Sequence, residues 1–148
     1  MALDCSRVKL SASSTMPQIH PLRDSTLISH NGNTHIVNSK ELLVGDPEPA
    51  KDSDVVHTGN AALQVVCRGN RIMKNLVHGP DGPNTRDLVL EDVAFIPGFH
   101  INLISSYKLE KALSFWFCGF DNTLRYGTMA SNKTVMNVTS KDLLLVAE

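Results

Sequence analysis

The segment "VLEDVAFIPGFHINLISSYKLEKALSF", Val89 to Phe115, carries the strongest pattern in the chain. Its first part is rich in β-branched and other apolar residues, which favours a strand. Pro97-Gly98 then predicts a turn. Apolar residues at helical spacing predict a short helix over residues 101–112, with Asn102 as its cap. The segment therefore predicts a strand, a turn and a helix in succession.

The rest of the chain from Ser25 onward consists of short β-rich segments separated by turn-forming clusters. "TGN" at 58–60 and "RGN" at 68–70 are typical of hairpin turns. "VGDPEPAKDSD" at 44–54 indicates a solvated loop. In "RDLVLEDVAFI", 86–96, one irregular step in the alternation predicts a bulge. Many short strands with one short helix predict an all-β fold, either a small barrel or a sandwich.

Composition narrows the function classes. The net charge is -1 over 148 residues, so no basic excess exists to neutralise phosphates and no nucleic-acid partner is expected. The longest apolar runs are too short to cross a bilayer, and residues 1–20 lack the apolar core of a signal peptide. We therefore expect no membrane partner and a cytoplasmic or nuclear address. Cys5, Cys67 and Cys118 form no CxxC pair, so no disulfide framework, metal or cofactor is expected.

The stretch "LVLEDVAFIPGFHINLISSYKL" resembles the signature that closes the protease segment of copia-type retrotransposon Gag-Pol polyproteins. That signature reads approximately Leu-x-x-Val-x-x-x-Pro-x-x-x-x-Asn-Leu-Ile-Ser-x-x-x-Leu. Its positions are filled here by Leu90, Val93, Pro97, Asn102, Leu103, Ile104, Ser105 and Leu109. The similarity covers about residues 24–148. It implies a retropepsin-like fold, a small closed antiparallel β-barrel with one short helix packed under it.

The same resemblance implies a domain organisation and partners. Residues 24–112 would be the barrel domain, and 113–148 a β-rich tail leading toward the pre-integrase region. Residues 1–23 mix Ser, Pro and scattered charges without periodicity, which predicts a flexible lead-in before the barrel. The implied partners are a second copy of the chain, in a homodimer, and a polyprotein substrate. The chain would then be a degenerate fragment of such a polyprotein, and no cofactor is implied.

Proteases of this family carry an Asp-Ser/Thr-Gly motif near the start of the barrel, and each chain of a homodimer supplies one Asp. The two carboxylates share one proton, so that one activates water while the other polarises the scissile carbonyl. In "LISHNGNTHIVN", 27–38, the matching slots hold His30, Asn31 and Gly32. Aligning on His35 without a gap instead puts Ser29 in the Asp slot. Neither alignment supplies a carboxylate, which predicts an inactive copy.

Two alternatives stay open. Asp24 begins "DST", which resembles the motif but has Thr26 where Gly is needed, and a β-branched residue resists a positive φ. An active aspartic endopeptidase using Asp24 is the first alternative. The second is a non-catalytic protein-interaction or dimerisation module. A metal role for His30 and His35 lacks a third ligand in any recognisable pattern.

Overall fold

The computed structural model describes residues 23–30, 32–59, 61–78, 85–141 and 144–147. Most of the predicted lead-in, residues 1–23, therefore lies outside the described residues. One α-helix, α1 (Ser106–Leu113), and a single-turn 3-10 helix at Lys40–Leu42 occur in the described part of the chain. The strands there are β1 (Thr26–Ser29), β2 (Ile36–Val37), β3 (Val44–Pro49), β4 (Val55–Thr58), β5 (Ala61–Gln64), β6 (Cys67–His78), β7 (Thr85–Phe95), β8 (Asn102–Ser105), β9 (Phe115–Cys118), β10 (Thr123–Gly127), β11 (Asn132–Asn137), β12 (Thr139–Lys141) and β13 (Leu144–Ala147).

Eight of these strands form one mixed sheet in the order β12-β13-β1-β8-β2-β7-β6-β3. Strands β9 to β11 form a separate three-stranded sheet, and β4 and β5 form a two-stranded hairpin. The predicted closed antiparallel β-barrel is wrong, because no sheet in the described ranges closes on itself. The main sheet also contains two parallel pairs, β1 with β8 and β2 with β7. The described residues are nevertheless mostly β-strand, arranged in several sheets.

The composition of strand β3 explains why the main sheet stays open at one edge. Pro47 and Pro49 have no N–H, so this strand offers few donors to a further neighbour. Its pairing with β6 is itself interrupted by a register shift between Val44 and Glu48. Short, proline-containing edges of this kind resist further strand pairing. The segment predicted as a solvated loop therefore forms an edge strand over its first six residues.

The predicted helix over residues 101–112 is wrong at its start, because residues 102–105 form β8. This strand lies between β1 and β2 and pairs with both. The Asn102 side chain does not cap a helix: its Oδ1 accepts from the Asn38 backbone N–H at 2.8 Å. Helix α1 instead begins at Ser106, and Ser105 is its N-cap. In the described part of the chain no helix is long and apolar enough to cross a membrane.

Three local predictions are tested by the hairpins of the structure. Gly59, with φ 47°, turns the chain between β4 and β5, so the hairpin predicted at "TGN" is confirmed. The turn predicted at "RGN" is wrong, because β6 runs straight through it. Gly69 lets β6 approach β3 closely, since a Cβ on it would lie 3.3 Å from Cβ of Pro47. The predicted bulge is confirmed by the register shift between β6 and β7 at Gly69 and Arg71.

Two apolar clusters form the core, one on each side of β8. Ile104 lies in the first cluster with residues from β2, β6, β7, α1 and the three-stranded sheet. Leu103, on the opposite face of β8, is half-buried and packs against the second. The first cluster contains Ile28, Val37, Leu43, Val66, Cys67, Val77, Leu88, Leu90, Val93, Phe95, Ile104, Leu109, Phe115, Leu124, Val135, Met136 and Val138; the second contains Leu27, Ile36, Ala50, Val65, Ala94, Ile96, Phe99 and Ile101.

The main sheet curls strongly even though it does not close. Arg71 on β6 is buried, and its Nη2 donates to Oγ1 of Thr26 on β1 at 2.9 Å. Three strands separate β1 from β6 in the sheet order. Neighbouring strands lie about 4.8 Å apart, so a flat sheet would hold these two strands roughly 19 Å apart, beyond the reach of this contact. The sheet therefore folds over the first cluster, and burial lowers the pKa of the Arg71 guanidinium.

Replacing Leu109 with Ala should reduce the free energy of unfolding by about 2–5 kcal/mol, because it leaves a cavity in the first cluster. Leu109 is 1% exposed. The neighbouring exposed Glu110→Ala should change stability by less than about 0.5 kcal/mol. Urea unfolding followed by circular dichroism measures both variants. Equal midpoints for the two would show that α1 does not pack as described.

Candidate functional site

The loop between β1 and β2, residues 30–35, is called here the Gly32 loop. It contains the positions at which the sequence predicted an Asp-Ser/Thr-Gly-like motif, and it reads His-Asn-Gly-Asn-Thr-His without a carboxylate. His30 is exposed, its Nδ1 lies 3.2 Å from Oγ of Ser106, and its ring lies against Phe117. Asn31 lies outside the described residues. The position predicted for a catalytic Asp is thus held by an imidazole that contacts the start of α1.

Ser105, at the end of β8, holds the Gly32 loop through two hydrogen bonds. Its hydroxyl donates to the Gly32 carbonyl oxygen at 2.7 Å, and its backbone N–H donates to Nδ1 of His35 at 3.0 Å. The same hydroxyl oxygen accepts from the Lys108 backbone N–H at 3.2 Å, which caps α1. Ser105 is fully buried. Ser105 therefore connects two residues of the loop, Gly32 and His35, to the helix that follows it.

His35 is held as a neutral base. Because Nδ1 accepts a hydrogen bond from a backbone N–H, the ring proton lies on Nε2. Burial lowers the pKa of His35 to about 4, and the nearby charge of Lys108 is the second cause. The charge of Asp92 raises the pKa of His35, and the charge of Arg71 lowers it further. Sequence reasoning identified His35 only as a spacing marker and missed this structural role.

A groove of about 670 Å³ lies between the Gly32 loop and the β4–β5 hairpin. Its loop wall includes Gly32, Asn33 and Thr34, and its hairpin wall is Val55 to Thr58. Its apolar lining includes Ile36, Phe99 and Leu103. Arg68, Asp92 and Lys108 supply its charged side chains. The groove therefore combines an apolar lining with a charged border and backbone groups of an extended hairpin.

Asp92 provides the one carboxylate among the described residues that line the groove. It occupies the β7 bulge with φ 53°, a left-handed conformation that is uncommon outside glycine. Its carboxylate lies 3.5 Å from Nη1 of Arg68 and 3.5 Å from Nζ of Lys108. The Lys108 ammonium also donates to the Glu91 and Asp92 carbonyl oxygens at 3.3 and 3.2 Å. Two cations thus neutralise the carboxylate and hold the bulge.

Arg68 connects the base of the hairpin to the bulge and the loop. Its Nε and Nη2 donate to the Asp54 carboxylate at 2.6 and 2.9 Å, a two-bond arrangement that fits the planar guanidinium. Its Nη1 lies 3.4 Å from Oγ1 of Thr34 and also contacts Asp92. The hydrogen bonds from Arg68 lower the pKa of Asp54, against the opposing effect of burial. Arg68 therefore positions the hairpin relative to the Gly32 loop.

Asp24 is exposed and precedes β1, whereas the Gly32 loop follows β1. Asp24 lies six positions before His30, and strand β1 runs between them. Asp24 and the Gly32 loop therefore lie beyond opposite ends of β1. Across the described ranges, no group of three or more His, Cys, Asp or Glu side chains is arranged to hold a metal ion. His30 and His35 have separate partners, Ser106 and Ser105.

Sequence reasoning missed Arg68, Asp92 and Lys108, which come from β6, β7 and α1. The irregular step that predicted the bulge was the one local signal for Asp92, since bulges redirect side chains near functional sites. No sequence pattern pointed to Arg68 and Lys108, because their proximity to Asp92 depends on how three elements distant in the sequence pack together. The groove border is therefore a property of the tertiary structure.

Replacing Arg68 with Gln should lower the free energy of unfolding by about 1–3 kcal/mol, because it leaves Asp54 without its paired donors. The free energy of unfolding of Arg68→Lys should lie between those of Arg68→Gln and wild type, since lysine keeps the charge and loses the two-bond geometry. The exposed pair of Lys74 and Asp87 at 3.1 Å supplies the control, and Lys74→Gln should cost less than about 0.5 kcal/mol. Urea unfolding compares them, and equal losses at both sites would contradict the role given to Arg68.

Comparisons with family models, with curated proteins and with solved structures gave no match to this chain.

Proposed function

We propose that this chain is an aspartic-protease-like domain from a copia-type retrotransposon polyprotein, without peptidase chemistry and with its groove kept as a binding surface for an extended peptide. The position of the Gly32 loop carries the proposal: it faces a groove beside a β-hairpin and has no carboxylate. A homodimer, a polyprotein partner and a cytoplasmic or nuclear address belong to the same proposal. They derive from the sequence resemblance and from composition.

The absence of peptidase chemistry follows from the residues of the loop. An aspartic dyad needs two carboxylates close enough to share one proton. Two imidazoles from His30 and its symmetry copy would repel each other when charged and would supply no negative base. Asp92 does not replace the missing acid, because it lies at the groove border between Arg68 and Lys108.

The binding role follows from the hairpin wall of the groove. Strands β4 and β5 pair with each other in a sheet of two strands. Such a hairpin has outer edges whose backbone groups are able to pair with an added extended segment. The apolar side chains Ile36, Phe99 and Leu103 provide contact surface below it. An extended peptide with alternating apolar side chains fits this combination of backbone and side-chain contacts.

The wild-type protein should show no cleavage of a quenched fluorescent peptide library between pH 4 and 7, because the loop supplies no carboxylate. The Asp24→Ala variant should likewise show no cleavage. The restored double variant, His30→Asp with Asn31→Ser, tests whether the loop alone limits activity, and an active aspartic peptidase serves as the assay control. Cleavage by wild type that disappears in Asp24→Ala would overturn the proposal and support the Asp24 enzyme.

The groove should select apolar extended peptides from a random decapeptide library displayed on phage. A selected peptide should bind Asn33→Trp at least about tenfold more weakly than wild type, because the indole would fill the groove beside the loop; tenfold corresponds to about 1.4 kcal/mol. Lys40→Trp, at an exposed site outside the groove lining, should bind normally. Fluorescence anisotropy measures the affinities. Equal affinities for both variants would place the binding surface elsewhere.

A further inference from the structure

We propose that His35 and Ser105 form an acid-sensitive latch: while the imidazole is neutral it holds the Gly32 loop in place, and its protonation releases the loop. The latch consists of Ser105, Nδ1 of His35 and the Gly32 carbonyl oxygen. It needs no ligand, so it is independent of the function proposed for the groove. Three features support it: the hydrogen-bond geometry, the surrounding charges and the access of water to the ring.

The hydrogen-bond geometry allows only one protonation state. The Ser105 backbone N–H is a donor, and it lies 3.0 Å from Nδ1 of His35. A protonated imidazole carries N–H groups on both nitrogens, so Nδ1 would then present a proton to another donor. The backbone N–H cannot reverse its role. Protonation of the ring at Nδ1 therefore requires His35 and Ser105 to separate.

Charged groups from three elements face the ring. Lys108 on α1 and Arg71 on β6 oppose a positive imidazole, whereas Asp92 on β7 favours one. Glu91 on β7 lines the same cavity as His35. Burial and the two cations dominate, so the pKa of His35 in the latched state is lowered from 6.5 to about 4. Once released into water, the ring returns toward its ordinary pKa of about 6.5.

The sign of the effect follows from these two values. The released state binds a proton more readily, so acid favours release between pH 6.5 and about 4. The released fraction should rise by at most about tenfold per pH unit in this range, and roughly a hundredfold in total by pH 4. Above pH 6.5 both states hold a neutral ring and the effect disappears.

Water has a route to the buried ring. His35 is 3% exposed, yet it lines a cavity of about 370 Å³ between β7 and α1. Lys108 and Asp92 line the same cavity, so its polar side is compatible with water. A proton therefore reaches His35 without global unfolding of the first cluster.

Release has consequences for the groove. The Ser105 hydroxyl donates to the Gly32 carbonyl oxygen, and it accepts from the Lys108 N–H at the start of α1. Separation of Ser105 from His35 frees both contacts to rearrange. Because Gly32 and Lys108 both line the groove, acid loosens one of its walls. The latch therefore couples proton concentration to the shape of the groove.

Amide hydrogen exchange read by NMR tests the latch in the full chain. Protection of the Ser105 amide, corrected for intrinsic exchange, should fall roughly a hundredfold from pH 6.5 to 4. Protection of the amides in the β6–β7 ladder should not fall with pH in this way. His35→Asn should remove the slope, because its Oδ1 supplies a non-titrating acceptor. The exposed His100→Asn should keep it.

Three results would overturn the latch: a flat Ser105 protection profile in wild type, the same slope in His35→Asn, or simultaneous loss of protection throughout the sheet. If His35→Asn fails to fold, ¹⁵N-imidazole NMR of wild type decides the question. The Nδ1 resonance should report an unprotonated nitrogen at pH 7, and its titration should coincide with a shift of the Ser105 amide. A His35 titration that leaves the Ser105 amide unmoved would likewise refute the latch.

Discussion

The backbone N–H of Ser105 and its hydroxyl fix the geometry on which the rest of the structure depends. Ser105 ends β8, and β8 lies between β1 and β2 in the main sheet. The loop between β1 and β2 must therefore pass over the end of β8, and the two Ser105 bonds hold it there. A buried polar group that is fully hydrogen-bonded stabilises one arrangement over its alternatives. The groove, its loop wall and the start of α1 all take their positions from this contact.

The groove draws its loop wall and its charged side chains from different elements. The Gly32 loop supplies no acid, and the one carboxylate among the described lining residues belongs to β7. Arg68 and Lys108 lie beside that carboxylate and at the same time join the hairpin, the bulge and the helix. These ion pairs therefore set the relative positions of the groove walls.

The sequence predicted the elements whose signals are local. The hairpin at Gly59, the bulge in β7 and the strands after α1 follow from turn residues and alternation. Strand β8 was not predictable in this way, because a short apolar run such as residues 101–104 fits a strand and a helix equally. Its assignment depends on the free backbone groups of β1 and β2. The convergence of Arg68, Asp92 and Lys108 likewise depends on packing between elements far apart in the sequence.

The parallel pairing of β1 with β8 also sets the order in which the sheet is able to assemble. Thr26 pairs with Asn102 on one side and with Ala147 on the other, so β1 has no partner until most of the chain has been synthesised. Strands β6 and β7 pair locally and need no such delay. Closing a long segment costs entropy before its contacts form, which slows folding. A strand without its partner is exposed to association with other chains, so β1 stays open to such contacts until β8 has formed.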